Sequence, residues 1–283
     1  MNLSASASRT DQPDRAGWQA SIRLGFRPTP TRTLLAERQH QGPLKVQRPF
    51  YPEGTPCHVY LLHPPGGVVG GDDLQIGIQV HPQTHALLTT PGAAKFYRSA
   101  GPQARQRQLL EINGGTLEWL PQENILFPGA RLRQTTEIRL DAAARFIGWE
   151  IHCLGRPVIG ERFDSGQAEF HLSITREQTP LLIDRWRIDS PKDLSGATGL
   201  RNHPVVGSWL ASNADQEDLE LARTTLPQPT QGFIGLSLLD ELLIARYLGD
   251  ATEEAHRLFQ ALWRTLRPRL LGRAACPPRI WAT

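Results

Sequence analysis

Four carboxylates stand in contexts where an acid has something to explain: Asp72, Glu123, Glu150 and Asp184. Asp72 is the first of the two acids that close the run His63-Pro-Pro-Gly-Gly-Val-Val-Gly-Gly-Asp-Asp73, and Glu123 follows Leu120-Pro-Gln. Glu150 alternates with Trp149 and Ile151, while Asp184 shares a strand face with Leu182, Trp186 and Ile188. A bare carboxylate among apolar side chains is costly, so each must be paired or solvated. The ordinary explanation for Glu150 and Asp184 is an ion pair with an arginine such as Arg185 or Arg162. The functional explanation is an internal polar channel, or a weak oxygen site for a divalent cation. Residue physics alone favours the ordinary one.

The glycine-rich run poses a second choice. Its glycines Gly66, Gly67, Gly70 and Gly71 could cradle a phosphate, hold a cation, or turn the chain tightly. A phosphate loop needs GxxxxGK[ST], and here Asp72-Asp73 follow Gly70-Gly71, where two carboxylates would repel a phosphate. No G-x-G-x-x-G enters a helix, so nucleotide binding by this chain is not expected. A tight structural turn that brings Asp72 close to neighbouring backbone is the most economical reading. Hydrolytic chemistry finds no support either, since there is no G-x-S-x-G elbow and no H-E-x-x-H. His81 and His85 are four apart in a strand-turn-strand context and need not share a face. His152 and Cys153 alternate to opposite faces, with Cys153 on the core side.

The elements that must position these residues are mostly strands. Leu74, Ile76, Ile78 and Val80 alternate with polar residues, and Ile147, Trp149, Ile151 and Cys153 alternate with Gly148, Glu150 and His152. The segments 106–112 and 116–120 flank Asn113-Gly-Gly115 and read as a hairpin. Strand follows strand without a helical crossover, so the expected core is a large antiparallel-rich β structure. Helical spacing begins near Gly232: one helix is expected over 236–248, stopped by Gly249. A second is expected after Asp250, with Thr252 as its cap, Glu253 and Glu254 in its first turn, and Pro268 ending it. The organisation expected is a disordered tail over 1–15 and a single domain over 16–283. That domain divides into a β-rich part 16–206, a connector 207–231 containing a short helix over 216–224, and a helical part 232–283.

Composition narrows the function classes. Net charge is only +3 across 283 residues, with both signs interspersed. A nucleic-acid binder concentrates positive charge on one face. The densest basic stretch, Arg264 to Arg273, reads instead as arginines favoured near a helix C-terminus. Three cysteines without a CxxC imply no disulfide framework, and neither a bilayer-spanning run nor a secretory apolar stretch is evident. A cytoplasmic protein is expected.

Several longer stretches carry a family resemblance: His63 to Asp72; Thr89-Thr-Pro-Gly-Ala-Ala-Lys95-Phe-Tyr97-Arg98-Ser99; Leu117 to Glu123 with Ile125 to Ala130; Leu154-Gly-Arg-Pro157 with Gly160-Glu161; Arg246-Tyr-Leu-Gly249; and Pro278-Arg279-Ile280-Trp281. In this order they resemble the urease accessory protein UreD family, called UreH in some organisms. The segments 1–15 and 207–231 do not carry the resemblance. It implies a non-catalytic maturation factor with a β-helix-like stack of strands and C-terminal helices. Its implied partners are the helical protein UreF, the GTPase UreG reached through UreF, and the urease apoprotein, with self-association open within that assembly. Neither nucleic acid nor membrane is an implied partner. The implied activity is support of GTP-dependent nickel insertion into urease, whose active-site lysine is also carbamylated. Under this resemblance Asp72, Glu123, Glu150 and Asp184 become candidates for a transient Ni2+ path, with no permanently bound cofactor. Arg279, Ile280 and Trp281 become candidates for the UreF contact. The alternative is a chain that chelates nickel tightly and delivers it directly; a β-rich hydrolase is the remaining class, and no residue set predicts its activity.

Overall fold

The computed structural model describes residues 17–282, so the expected tail over 1–15 lies outside the described residues. In chain order the first strands are β1 (Gln19–Pro28), β2 (Thr33–Gln41), β3 (Lys45–Val46), β4 (Cys57–Leu62), β5 (Asp73–Val80), β6 (His85–Thr89), β7 (Ala94–Phe96), β8 (Ala104–Ile112) and β9 (Thr116–Trp119). There follow β10 (Asn124–Leu126), β11 (Arg131–Leu140), β12 (Arg145–Arg156), β13 (Glu161–Arg162), β14 (Gln167–Arg176), β15 (Thr179–Ile188), β16 (Val205–Ala211), β17 (Phe233–Leu239) and β18 (Leu242–Gly249). Three helices interrupt or follow them: α1 (Pro191–Ser195), α2 (Gln216–Thr225) and α3 (Thr252–Leu271).

The strands form two sheets. The first has the order β15-β14-β11-β8-β5-β1-β2, and the second runs β17-β18-β16-β12-β9-β6-β4-β3, with β10 paired to β12 and β7 to β10. From β4 to β14 the chain passes back and forth between them. β5, β8, β11 and β14 add in parallel to the first sheet, and β4, β6, β9 and β12 add in parallel to the second. The antiparallel-rich expectation is therefore corrected: antiparallel pairs close the ends, such as β1–β2, β14–β15 and β16–β18, while the middle of both sheets is parallel. Parallel neighbours need a long crossover. Here each strand of the facing sheet serves as that crossover, so no helix is required.

The same geometry corrects the hairpin expected around Asn113-Gly-Gly115. β8 and β9 lie in different sheets, and the turn, with Gly114 at φ +66°, carries the chain across. The helix expected over 236–248 is also corrected, because β17 and β18 form an antiparallel hairpin there, turning at Asp240 with φ +51°. The apolar run fits a strand buried on two faces as well as a helix. Leu242 and Ile244 enter the core between the sheets, whereas Leu243, Ala245 and Tyr247 enter the core beneath the helices. The connector 207–231 is corrected as well. Its first residues complete β16, between β12 and β18, and α2 covers the range in which a short helix was expected.

Two hydrophobic cores result, giving three layers. One core fills the space between the sheets, with Ile22, Ile78, Leu110, Leu132 and Ile174 meeting Val59, Leu88, Phe146 and Leu154. The other lies between the back of the second sheet and α2 and α3, where Ile147, Trp149, Trp209 and Tyr247 meet Leu258, Phe259, Leu262 and Leu266. In α3, Ala251 holds the cap position in place of Thr252. Glu253 and Glu254 occupy the first turn, and the helix runs past Pro268 to an αL cap at Gly272. Among the described residues no helix is long and apolar enough to cross a membrane.

Candidate functional site

The glycine-rich run folds as a loop that docks on the second motif. Val68 donates its backbone N–H to the Lys95 carbonyl at 2.7 Å, and Tyr97 returns one to Val68 at 2.9 Å. A Cβ on Gly67 would stand 2.3 Å from the Tyr97 ring, and one on Gly70 would stand 2.5 Å from the Pro102 carbonyl. These two positions are glycine because backbone passes where a side chain would sit. Tyr97 donates its hydroxyl to the Gly66 carbonyl at 3.1 Å, and the Arg98 side chain lies against Gly129. Gly71 has φ +94°. Asp72 ends the loop with its carboxylate accepting from the backbone N–H of Trp18 (2.8 Å) and of Val69 (2.9 Å). It is 5% exposed, and it staples the loop to the start of β1.

Behind this loop, between the sheets, lies a cavity of about 260 Å³. Its mouth is formed by His63 to Val68 and by Thr90 to Lys95. Its interior is lined by the amides Gln106, Gln108, Asn124 and Gln134, by the indole of Trp119, and by Glu150. Gln108 Oε1 and Trp119 Nε1 are buried there without a hydrogen-bond partner, as expected of groups that face a ligand or water. Glu150 accepts from the Thr136 hydroxyl at 2.5 Å and from the Gln134 amide at 3.1 Å, and its other oxygen is 3.6 Å from His152 Nε2. Asn124 donates to Gln134 at 2.8 Å and lies 3.4 Å from His152 Nδ1. The His152 ring rests on Phe170, centroid to centroid 4.1 Å. This arrangement follows from the alternation along β12, which turns Glu150 and His152 toward the first sheet and Trp149 and Cys153 toward the helices.

The other three candidate carboxylates are not brought to this cavity. Glu123 lies 2.8 Å from His256 Nε2 of α3. Burial opposes its ionisation, but the hydrogen bond and charge of His256 outweigh it and hold the carboxyl below its usual range. Asp184 pairs at 2.6 Å with Arg246 of β18, tying the edge of the first sheet to the second; the arginine is neither Arg185 nor Arg162. At the C-terminal motif, the Trp281 ring lies 5.6 Å from Trp149 and 5.5 Å from Trp263, and its Nε1 donates to the Thr89 hydroxyl at 3.1 Å. Trp281 therefore packs on the body, Ile280 is half-buried, and Arg279 is exposed. Among the described residues no three His, Cys, Asp or Glu side chains gather in a group able to hold a metal.

A charged cluster escapes the sequence reading altogether. Arg267 of α3 is fully buried, donating to Glu118 of β9 at 2.9 Å and to Glu53 at 2.7 and 2.8 Å. Trp263 Nε1 donates to Glu118 at 2.5 Å, His85 Nε2 lies 2.6 Å from the same carboxylate, and His58 Nε2 lies 2.7 Å from Glu53. Burial pushes the Glu118 carboxyl up, yet His85 and Arg267 bring it down to about 2. His85 thus belongs to this cluster, apart from His81. The one available signal is Glu118 between Leu117 and Trp119, an acid inside an apolar strand run.

The model of the UreD urease accessory protein family matches residues 19–282 and so includes the segment 207–231. Curated relatives named urease accessory protein UreD include one from Alcanivorax borkumensis, 49% identical over 94% of this chain and 93% of its own length. Another from Pseudomonas putida is 48% identical over 98% of this chain and 99% of its own. One from Klebsiella aerogenes is 44% identical over 96% and 99%. The chain belongs to the UreD urease accessory protein family.

Proposed function

We propose that this chain is a cytoplasmic, non-catalytic urease maturation factor, a scaffold that joins the urease apoprotein to UreF and the GTPase UreG. Within that assembly it offers nickel an interior route toward urease. Family membership supports the first part. The observation that carries the second is the cavity behind the glycine loop, where Glu150 is the one carboxylate among the lining residues; amides, an indole and apolar side chains make the interior, and His63, Thr90 and Lys95 stand at the mouth. One carboxylate with neutral oxygen donors suits a hard or borderline divalent ion held weakly enough to move on. Tight chelation would call for more anionic or imidazole ligands at one point. Asp72, Glu123 and Asp184 each have structural partners, so the route reading rests on Glu150. The passage of strands between two sheets supports reading the body as a β-helix-like stack, which leaves an interior for such a route. Arg279 is the exposed residue of the C-terminal motif proposed to meet UreF.

The test is co-expression of Glu150→Ala with the urease subunits and the other accessory proteins, followed by pull-down and metal analysis of urease. The complex assembles while urease nickel content falls severalfold. Unchanged nickel content in an assembled complex removes Glu150 from the route. Loss of assembly itself would point to a role in the scaffold instead.

A further inference from the structure

The ends of the two sheets are guarded unequally. Open sheet edges invite pairing with another strand, and proteins blunt them with charges, prolines or brevity. β2, at one end of the first sheet, carries Glu37, Arg38 and His40; β15, at the other, carries Pro180, Asp184, Arg185 and Arg187. β3, ending the second sheet, is two residues long. β17 ends that sheet on the other side with seven residues, Phe-Ile-Gly-Leu-Ser-Leu-Leu, and has neither charge nor proline. Ile234, Leu236 and Leu238 pack against the helical core, whereas Phe233, at 51% exposure, and Leu239, at 45%, lie on the open face with Gly235 and Ser237. Arg223 of α2 reaches the Leu236 carbonyl at 3.5 Å, the outer limit of a hydrogen bond, while Glu220 holds the same side chain at 2.8 Å.

We infer that β17 is a self-association edge, on which the β17 of a second copy of this chain pairs antiparallel about a twofold axis through Leu236. The strand's own sequence argues for this occupant. With the axis at Leu236, Phe233 faces the second copy's Leu239, Ile234 faces its Leu238, and Gly235 faces its Ser237. Each large apolar residue meets a large apolar one, each small residue meets a small one, and all seven positions are used. Moving the axis by half a residue toward Gly235 sets Ile234 against Ser237 and leaves Leu239 without an opposite inside the strand. A twofold contact requires such self-complementarity, and a charge-free strand meets itself without like-charge repulsion. Arg223, already engaged by Glu220, gives up one long contact. A strand pair of this length buries less than a standard interface, so the dimer is weak and concentration-dependent.

Sedimentation of the full chain over a range of concentrations tests this, beside Ser237→Lys, which places a lysine on the open face in the way natural edges are guarded. The wild-type chain forms a reversible dimer, and Ser237→Lys weakens it by at least about tenfold with an unchanged circular dichroism spectrum and melting temperature. The register is read separately by mixing Gly235→Cys with Ser237→Cys under oxidation. A Cβ at Gly235 meets no atom within 4 Å, so the backbone accepts a cysteine there, and directly opposed residues lie within disulfide reach. The mixed disulfide forms in excess over either homodimeric one. A wild-type chain that stays monomeric, a dimer indifferent to Ser237→Lys, or no excess of the mixed disulfide each overturns the assignment.

Discussion

Glu118 and Glu150 are both buried glutamates on neighbouring strands of the second sheet, and they face opposite ways. Glu118 points toward the helices, where Arg267, His85 and Trp263 occupy its oxygens. Glu150 points between the sheets, where a hydroxyl and an amide serve it and an unpartnered glutamine oxygen and indole N–H line the same cavity. One site is fully buried and electrostatically closed, the other polar and incompletely satisfied. The difference separates a residue that fastens an element from one with capacity left for a visiting ion. Burial of a carboxylate is by itself silent on which of the two it is.

The comparison can be broken most forcefully at Arg267. Arg267→Met removes the only cation that is charged at every pH from Glu118 and Glu53, leaving His85 and the Trp263 indole on Glu118 and His58 on Glu53. The expected loss is about 3–5 kcal/mol of unfolding free energy, read from urea denaturation. A loss under about 1 kcal/mol would mean that the cluster is not what fastens α3. The next effect is on pH dependence. Glu118 has a folded value of about 2 against 4.5 unfolded, so its contribution is present above the unfolded value and is lost as pH falls from about 4.5 toward 2. Unfolding followed across that window should show stability falling with acid, with a shallower fall in Glu118→Gln. An equal slope in both chains contradicts the assignment. The smallest effect is expected at Glu150. Glu150→Gln keeps the side-chain shape and an acceptor for Thr136, so stability changes by less than about 1 kcal/mol. A large drop in melting temperature would place Glu150 with Glu118 as a fastening residue.

What the sequence discloses differs residue by residue. The faces of β12 are legible because period two separates Trp149 from Glu150 whichever strands lie beside it. The glycine loop is legible as a turn because Asp72-Asp73 stand where a phosphate loop needs lysine and hydroxyl. Strand partners are not legible: Leu110 pairs with Ile78 on one side and Ile138 on the other, and no local pattern encodes which distant strand arrives. Leu236, Leu239 and Leu243 recur at a spacing that fits a helix face and a two-sided strand pair equally. Arg267 looks like any basic residue near the end of a helix until Glu53 and Glu118 are seen beside it. That a carboxylate among apolar residues needs a partner is legible from its neighbours, but the identity of that partner, Arg246 for Asp184 and His256 for Glu123, depends on tertiary approach.

The alternation of the chain between two sheets also bears on the order of assembly during synthesis. Each middle strand docks on one made a single circuit earlier, so the two-sheet body can grow as the chain emerges, with short closures at each addition. The back of the second sheet has no such early partner. Its apolar face, around Trp149 and Trp209, waits for α3, and the Arg267–Glu118 bond spans 149 residues. Until α3 leaves the ribosome, a partly made chain exposes a broad sticky surface and an uncompensated buried-to-be acid. Truncation before α3 should therefore yield aggregate rather than a smaller soluble body.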